Sequence, residues 1–383
     1  MSYRVHPELA DEMKHYGGDT VTECFNCGNC TAICALSEND VTFPRQFIRY
    51  MQLGLTDQMK GSLDPWLCYY CGDCSETCPR ESEPGELMMA ARRWLTSMYD
   101  WTGISRLMYR HESWELGILI LCSLVVLALF VLPADFGFRL LAGHPEARDT
   151  VMLQHFTPSH IVHWADIILA FGLGFFLLSN AARMTMWVMK GSSPPLSAWI
   201  IEVKEGVLHL LTQMRWSKCE SSMAVHWVRH IFLVTGYATM FILVVIFLPW
   251  FQVDDTGFHW TSLLGYYATV TLGVVSWWIL ADRISKKDQI HKFSHLSDWL
   301  FPILLLLTAI TGILMHIFRL VDLAMPTYVM YTIHLMVAVP MLIIEVPFGK
   351  WAHLFYRPLA MYLLAVKAHE RKSEATVPSP ATA

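Results

Sequence analysis

Eight cysteines near the start of the chain stand in two runs of the same spacing. Both runs follow the pattern C-x2-C-x2-C-x3-C, and a proline follows the second: Cys24, Cys27, Cys30 and Cys34, then Cys68, Cys71, Cys74, Cys78 and Pro79. This spacing is typical of [4Fe-4S] binding, because three thiolates in one tight loop reach three irons of a cubane and the fourth comes from farther away. The pattern therefore predicts two [4Fe-4S] clusters.

The two runs are expected to exchange their fourth ligands, as in other proteins with two such clusters. The predicted ligand sets are Cys24, Cys27 and Cys30 with Cys78, and Cys68, Cys71 and Cys74 with Cys34. Structural zinc in two four-cysteine sites is the alternative. Zinc sites usually pair two C-x2-C units and lack the third and fourth cysteine at fixed spacing, so the pattern favours clusters.

The cysteine usage is also consistent with a reducing compartment for the N-terminal part of the chain. The first residues, MSYRVHPELADEMKHYGG, contain no apolar segment typical of a signal peptide, so we expect this part in the cytoplasm. A dense cysteine cluster in a reducing compartment indicates metal binding and not a disulfide framework. The remaining Cys122 and Cys219 are expected to be ordinary packing or surface residues.

A second set of candidate ligands lies in the apolar part of the chain. Ionisable residues inside a membrane are functional candidates by default, and two histidines on facing helices can hold a haem b iron from both sides. Any single histidine could equally be a hydrogen-bonded packing residue. The candidates are His160, His163, His226, His230, His316, His334 and His353.

Depth in the membrane sorts these histidines into two groups. His230 and His353 lie near the cytoplasmic face and are the predicted axial pair of one haem b. Near the outer face, His334 would pair with His163, His160 or His316 if a second haem is present. We expect His334 and His353 on one helix, about 28 Å apart at ~1.5 Å per residue.

Two carboxylates accompany the membrane histidines. Asp166 lies three residues after His163 and could orient its ring or form a local helix hydrogen bond. Glu345 lies at a depth where a carboxylate is costly. A proton relay to a quinone and pairing near the cytoplasmic interface both stay open for Glu345.

Six apolar stretches must position these histidines. Of the 383 residues, 54% are hydrophobic and only 16% are charged, whereas soluble domains are usually about 25% charged. Each stretch is long enough to cross a bilayer, which needs about 20 apolar residues, and several are apolar on every face, which disfavours a buried soluble core. The predicted spans are 114–133, 160–182, 225–250, 261–281, 298–319 and 327–350.

Basic residues predict the orientation of these spans. The loops after the second and fourth spans and the C-terminal segment are rich in Lys and Arg. The opposite loops carry only Arg139, Arg148 and Arg319, with Asp254 and Asp255. The positive-inside rule then predicts a multi-pass protein of the cytoplasmic membrane with both termini in the cytoplasm. The net charge of −5 gives no sign of nucleic-acid binding.

The expected fold class is all-α: a helical, ferredoxin-like two-cluster head and a six-helix transmembrane cytochrome b bundle. Phe43, Phe47, Tyr50 and Met51 recur at helical spacing between the cysteine runs, which favours a helical head. The arginines of the connecting helix suit either anionic lipid at the membrane surface or a solvated face. The predicted domains are the head (1–84), a juxtamembrane helix (85–112), the haem b domain (113–356) and a cytoplasmic tail (357–383).

Several of these segments resemble segments of known protein families. Both cysteine runs, the LGL segment and PWLCYYCGDCSETCP resemble the C subunit of heterodisulfide reductases. The membrane part is similar to the E subunit of those enzymes and, more distantly, to the gamma subunit of respiratory nitrate reductase. In that resemblance IHLMVAVPMLIIEVPFGKWAHLF places His334 and His353 in ligand roles, and RHIFLVTGY places His230. The sequence departs from the family at Met240, where the second partner histidine would stand.

A C-like head fused to an E-like membrane part resembles the corresponding fused chain in quinone-interacting membrane-bound oxidoreductases of sulfate reducers. The resemblance implies electron transfer between menaquinone and soluble flavin- and iron–sulfur-containing subunits, toward adenylylsulfate reductase. The sequence shows no nucleotide fingerprint or catalytic triad, so partner chains would handle the final substrate. Two alternatives stay open: a related module of a heterodisulfide- or sulfite-reduction complex, and a membrane anchor without quinone chemistry.

Overall fold

The computed structural model describes residues 5–37, 42–213, 223–254, 259–286 and 288–376. Throughout these residues the regular structure is helical, without a strand, which confirms the predicted all-α class. Cys219, Asp255 and the last seven residues of the chain lie outside the described ranges.

The head consists of short helices and two longer ones that follow the cysteine runs. Of the four residues that recur at helical spacing, Phe47 and Met51 are buried on a helix between the two runs together with Ile48, whereas Tyr50 is half-buried and Phe43 precedes the helix. The head helices are α1 (Leu9–Lys14), α2 (Asn29–Ile33), α3 (Arg45–Gln52), α4 (Thr56–Gly61), α5 (Asp64–Leu67), α6 (Asp73–Glu76), α7 (Pro84–Tyr99) and α8 (Ile104–Arg110).

Among the described residues beyond the head, six helices are long and apolar enough to cross a membrane. They confirm the predicted number of spans, although their ends differ by several residues from the predicted ones. The six are α9 (Glu112–Val131), α11 (Ser159–Val188), α14 (Met223–Val245), α16 (Thr261–Ser285), α17 (Leu296–Leu320) and α18 (Ala324–Glu345). Shorter helices between them are α10 (Gly137–Ala142), α12 (Leu196–Ile201), α13 (Val203–Thr212) and α15 (Leu248–Phe251).

The spanning helices pack side by side. α18 packs against α9 and α17, α17 against α16, and α16 against α14, which also contacts α11. Large apolar side chains such as Leu121, Phe171 and Trp277 are exposed on the outer surface of this bundle. An apolar exterior on this scale is what a helix bundle presents to lipid, where the backbone bonds are all satisfied internally. The chain is therefore a multi-pass membrane protein.

The predicted last span is wrong at its end. α18 ends at Glu345, two residues before Pro347, which has no N–H to continue the helical hydrogen bonds. A 3-10 turn at Lys350–Ala352 follows, and His353 begins a new helix, α19 (His353–Thr376). His334 and His353 therefore lie on different helices.

Helix α19 fixes the head to the bundle. It crosses the domain boundary predicted at residue 357, and its Tyr356, Ala360 and Leu363 are fully buried. They share one hydrophobic core with head residues such as Trp94 and with Met184 near the end of α11. We call the end of the bundle that contacts the head the head face, and the opposite end the far face.

Candidate functional site

The structure gathers the cysteines into two groups of four, each around its own small cavity. Cys24, Cys27, Cys30 and Cys78 line a cavity of about 20 Å³. Cys34, Cys68, Cys71 and Cys74 line a second cavity, also of about 20 Å³. The fourth cysteine of each run thus lies with the first three of the other run, which is the arrangement that the predicted ligand sets require.

Local backbone geometry produces both cysteine loops. Gly28 and Gly72 have φ of +90° and +96°, immediately before the short helices α2 and α6. Glycine adopts this left-handed conformation without steric penalty, so the chain can turn tightly inside each run. Asn29 Nδ2 donates to Thr77 O at 2.7 Å and ties the first loop to the end of the second.

The spacing of the sulfur atoms bears on the zinc alternative. With Zn–S bonds of about 2.3 Å, a tetrahedral zinc site places its sulfurs about 3.8 Å apart. Within the described residues, no three of these cysteines bring their sulfurs within 4.8 Å of one another. Both groups are therefore more open than a zinc site, and a larger group such as a cubane cluster fits them better.

Buried thiols in these groups are protonated until a metal binds. Burial raises the pKa of Cys30 to about 11 and that of Cys34 to about 11. Because only the thiolate is a metal ligand, loading either group must release protons. The Tyr70 backbone N–H donates to Cys68 Sγ at 3.3 Å, a contact of the kind that tunes iron–sulfur potentials.

His230 and His353 face each other beside the second cysteine group. His230 comes from α14 and His353 begins α19, and their ring centres are 6.0 Å apart with an interplanar angle of 63°. Metal–imidazole bonds of about 2 Å on both sides of one iron place two ring centres about 6 Å apart. The pair therefore fits the axial ligation of one haem b.

The orientation of His353 supports a ligand role. Its Nδ1–H donates to the carbonyl oxygen of Lys350. A histidine with Nδ1 bonded to a carbonyl presents Nε2 as its free ligand atom, and such a bond fixes the ring. The 3-10 turn that precedes α19 thus aims the ring toward α14.

The pair lines a cavity of about 240 Å³ that extends to the head. Five arginines line the same cavity: Arg92, Arg93, Arg229, Arg283 and Arg357. Burial, and then Arg357, lower the pKa of Arg92 to about 9. Arg229 pairs with Asp282 at 2.7 Å, and Arg357 stacks over Tyr69 at 4.1 Å. An excess of cations of this kind suits the two propionates of a haem.

His226, one turn before His230, makes different contacts. Its ring lies 6.5 Å from that of His291, and its Nε2 is 3.8 Å from Asp288 Oδ2. It borders the same cavity, yet its ring partner is a histidine on the loop after α16, not His353.

A second cavity, of about 140 Å³, lies toward the far face and is mostly apolar. His334, His316, Met240 and Asp166 line it. His334 Nδ1 lies 3.0 Å from Thr311 Oγ1, and His316 Nε2 lies 2.7 Å from the Tyr266 hydroxyl. The structure thus brings together two of the far-face histidines and the methionine that replaces the expected ligand.

His163 and His160 are not among the residues that line the far cavity. The Nδ1 atom of His163 is buried and without a hydrogen-bond partner in the described part of the chain, and its ring lies 6.4 Å from that of Trp164. Asp166, one turn later on α11, does line the cavity, and one of its oxygens is likewise without a partner. Among the proposed partners of His334, the geometry favours His316 over these two.

Sequence reasoning missed a chain of buried charges between head and bundle. Arg93 on α7 contacts Glu86 at 2.9 Å and Asp298 of α17 at 2.6 Å. Asp298 also pairs with Lys350, whose backbone N–H donates to Glu345 Oε2 at 2.7 Å. Arg93 is only 6% exposed, so for this residue the expected lipid-facing or solvated role is wrong.

The same chain reaches the second cysteine group. Glu86 Oε2 accepts a hydrogen bond from the Tyr70 hydroxyl at 2.6 Å, and Tyr70 lies in the cysteine loop. A continuous series of polar contacts therefore connects Glu345, in the last spanning helix, to the loop that carries Cys68. No local signal could reveal it, because Arg93 and Asp298 are 205 positions apart.

Comparison with known proteins now gives the head an identity. Residues 20–82 match the family described as a 4Fe-4S dicluster domain, a segment that includes all eight cysteines. The N-terminal part of this chain is a 4Fe-4S dicluster domain. This match supports the presence of [4Fe-4S] clusters in the head and a role of the head in electron transfer.

Curated relatives match the same part of the chain. It is 34% identical over 92 residues to a protein of Archaeoglobus profundus described as like the C subunit of heterodisulfide reductase, covering 24% of this chain and 49% of that protein. It is 33% identical over 88 residues to the C subunit of the H(2):CoB-CoM heterodisulfide,ferredoxin reductase of Methanothermobacter marburgensis, covering 23% and 48%. The chain thus spans about half the length of these relatives. No solved structure matches it.

Proposed function

We propose that this protein passes electrons between menaquinol and soluble flavin- and iron–sulfur-containing subunits of the same complex, through haem b and two [4Fe-4S] clusters. The observation that carries the proposal is the His230–His353 pair. It faces a cavity whose other wall includes Tyr69 and Tyr70, in the loop of the second cysteine group. A one-electron carrier held there would lie between the membrane bundle and the head.

The ligands follow from the two cysteine groups and the histidine pair. Cys24, Cys27, Cys30 and Cys78 would hold one cluster, and Cys34, Cys68, Cys71 and Cys74 the other. His230 and His353 would hold the haem iron, and Arg229, Arg92 and Arg357 would offset its propionates. Bound haem b supplies reversible one-electron chemistry, and two imidazoles leave its iron no open position for oxygen. A second haem near the far face would use His334, with His316 as its nearest histidine.

The head would lie in the cytoplasm, with both termini on that side of the cytoplasmic membrane. The basic loops support this orientation. The proposed units are the head to residue 84, the connecting segment to 112, the bundle to 356 and the C-terminal segment, although α19 packs across the last boundary. In this orientation soluble partners reach the clusters directly, and adenylylsulfate reductase is the proposed acceptor.

Replacement of the paired histidines tests the proposal. His230→Ala or His353→Ala should remove the haem or make it high-spin, because the iron loses an imidazole. The head clusters should stay assembled, since their ligands lie elsewhere, while quinol no longer reduces them. Optical and EPR spectra of the purified complex, with a quinol analogue added, measure all three results.

His226→Ala is the matched control, since this ring lies one turn away and contacts His291 instead. It should keep the low-spin haem. Loss of the haem in His226→Ala but not in His230→Ala would move the assignment by one turn. If neither change alters the spectrum, α14 is not a haem helix.

A second candidate function comes from the relatives. The curated matches of the head are subunits of heterodisulfide reductases, which favours a related heterodisulfide- or sulfite-reduction module as the alternative. A membrane anchor without quinone chemistry is the further alternative. Reduction of bound haem by the quinol analogue separates that anchor from both electron-transfer functions.

A further inference from the structure

A third group of potential metal ligands lies on the far face, in the segment between α9 and α11. His144 precedes the 3-10 turn Pro145–Arg148, which contains Glu146, and His155 ends the turn Leu153–His155. One ligand atom from each of these side chains lies within 4.8 Å of the other two. The ring centres of His144 and His155 are 4.4 Å apart, and His144 Nδ1 is 3.1 Å from Glu146 Oε1.

These distances are close to those of an occupied metal site. With metal–ligand bonds of about 2.1 Å, a tetrahedral zinc site places its ligand atoms about 3.4 Å apart. Small rotations of the three side chains would close the remaining gap. The backbone already holds both turns in place, so binding would not require refolding of the segment.

An unsatisfied atom in the group supports the same interpretation. Nδ1 of His155 is buried and has no hydrogen-bond partner among the described residues. Buried polar atoms are nearly always bonded. An ion coordinated by Nδ1 of His155 would remove this deficit and would also hold the imidazole in a fixed tautomer.

The surrounding contacts attach this segment to the far face of the bundle. The Tyr328 hydroxyl donates to Ala147 O at 2.9 Å, and the Val151 N–H donates to Asp322 Oδ1 at 2.7 Å. Leu153, two residues before His155, lines the far cavity. An ion that joins the two turns would therefore fix one wall of that cavity.

We propose that His144, Glu146 and His155 form a binding site for a divalent transition-metal ion such as Zn²⁺. Two imidazoles and one carboxylate are ligands that suit zinc and its neighbours, not magnesium or calcium. Glu146 is exposed, so water can complete the coordination shell. This site is separate from the cysteine groups and from both membrane cavities' histidines, and it does not depend on the proposed function.

Cobalt(II) is a suitable probe, because its visible absorption reports coordination while Zn²⁺ is spectroscopically silent. The full-length purified protein, with clusters loaded and without a polyhistidine tag, is titrated with Co²⁺. We expect one Co²⁺ per chain, with the intense bands of four-coordinate cobalt in the difference spectrum. Added Zn²⁺ should displace it.

Single substitutions locate the site. His144→Ala and His155→Ala should weaken Co²⁺ binding by more than about a hundredfold, since losing even groups that only orient a ligand costs about 10–100-fold. Glu146→Gln should also weaken it, and this change at an exposed side chain leaves the fold intact. His111→Ala is the control, an exposed histidine that is not in the group and is not a candidate haem ligand, and it should bind Co²⁺ like the unaltered protein.

Two results would overturn the proposal. One is the absence of saturable Co²⁺ binding in the unaltered protein. The other is a titration in which His155→Ala and Glu146→Gln both match the unaltered protein, because the ion would then be bound elsewhere. Unchanged cluster absorption in each variant shows that the head is still folded, and unchanged haem absorption shows the same for the bundle.

Discussion

Arg93 is the residue whose loss should most weaken the attachment of the head to the bundle. Its guanidinium lies between Glu86 of the head and Asp298 of α17, and it also donates to Tyr16 O at 2.8 Å. Although burial opposes its charge, Asp298 and Glu86 together raise the pKa of Arg93 above its usual value. Arg93→Met keeps much of the side-chain volume but leaves the buried Glu86 without its cation and Asp298 with Lys350 alone.

The size of the effect follows from this burial. Removing one partner of a buried ion pair costs about 3–5 kcal/mol, because the remaining charge is left uncompensated. At about 1.4 kcal/mol per factor of ten, this is roughly two to three and a half orders of magnitude in the equilibrium between the folded and unfolded states. With a urea dependence of about 3 kcal/mol per molar, the unfolding midpoint should fall by about 1 M or more.

Arg106→Met is the matched control, the same substitution in a pair whose cation is half exposed. Arg106 is 50% exposed and lies 3.6 Å from Glu12, whose side chain is 13% exposed. Solvent screens the Arg106 charge, so this pair should contribute less than the buried Arg93 contacts. Urea titration of the detergent-solubilised protein, followed by cluster absorbance and by proteolytic release of the head, measures both variants. If Arg93→Met unfolds at the same midpoint as Arg106→Met, the buried charges do not hold the head in place.

Three further predictions concern the clusters, the pH dependence and the orientation. Cys34→Ala should abolish the cluster held by the second cysteine run, and Cys78→Ala should abolish the cluster held by the first run. If EPR shows that each substitution instead removes the cluster of the run in which the cysteine stands, the two runs do not exchange their fourth ligands. Burial, and then Arg93, lower the pKa of His295 to about 4 from its ordinary 6.5, so between these values the unfolded chain binds a proton that the folded chain does not. Stability should therefore fall with decreasing pH by up to about 1.4 kcal/mol per pH unit, and His295→Asn, which can still cap α17, should lose that part of the slope in urea titrations. A C-terminal reporter that is active only outside the cytoplasm should give no signal, and strong activity would reverse the proposed orientation.

Local sequence determined the elements of this protein. The cysteine spacing is set within a few residues, so it predicts the kind of group that the head holds, and residues 20–82 do form a 4Fe-4S dicluster domain. The six spans follow in the same way, because a bilayer requires a continuous apolar helix of fixed minimum length. Both are properties of short stretches of chain, which is why reading the sequence alone found them.

Tertiary structure decided how these elements meet. The sequence predicted one helix through His334 and His353, but the break at Pro347 and the new start at His353 depend on a turn whose Lys350 pairs with Asp298 of another helix. Arg93 is a second example of what local sequence does not determine. Its basic side chain is typical of a membrane surface, and only the packing of α7 against α17 buries it. Contacts between residues hundreds of positions apart leave no periodic trace in the sequence, because neither partner's local pattern specifies the other. The chain thus encodes its cofactor loops and its spans locally, while the assembly of head and bundle is fixed only in the folded molecule.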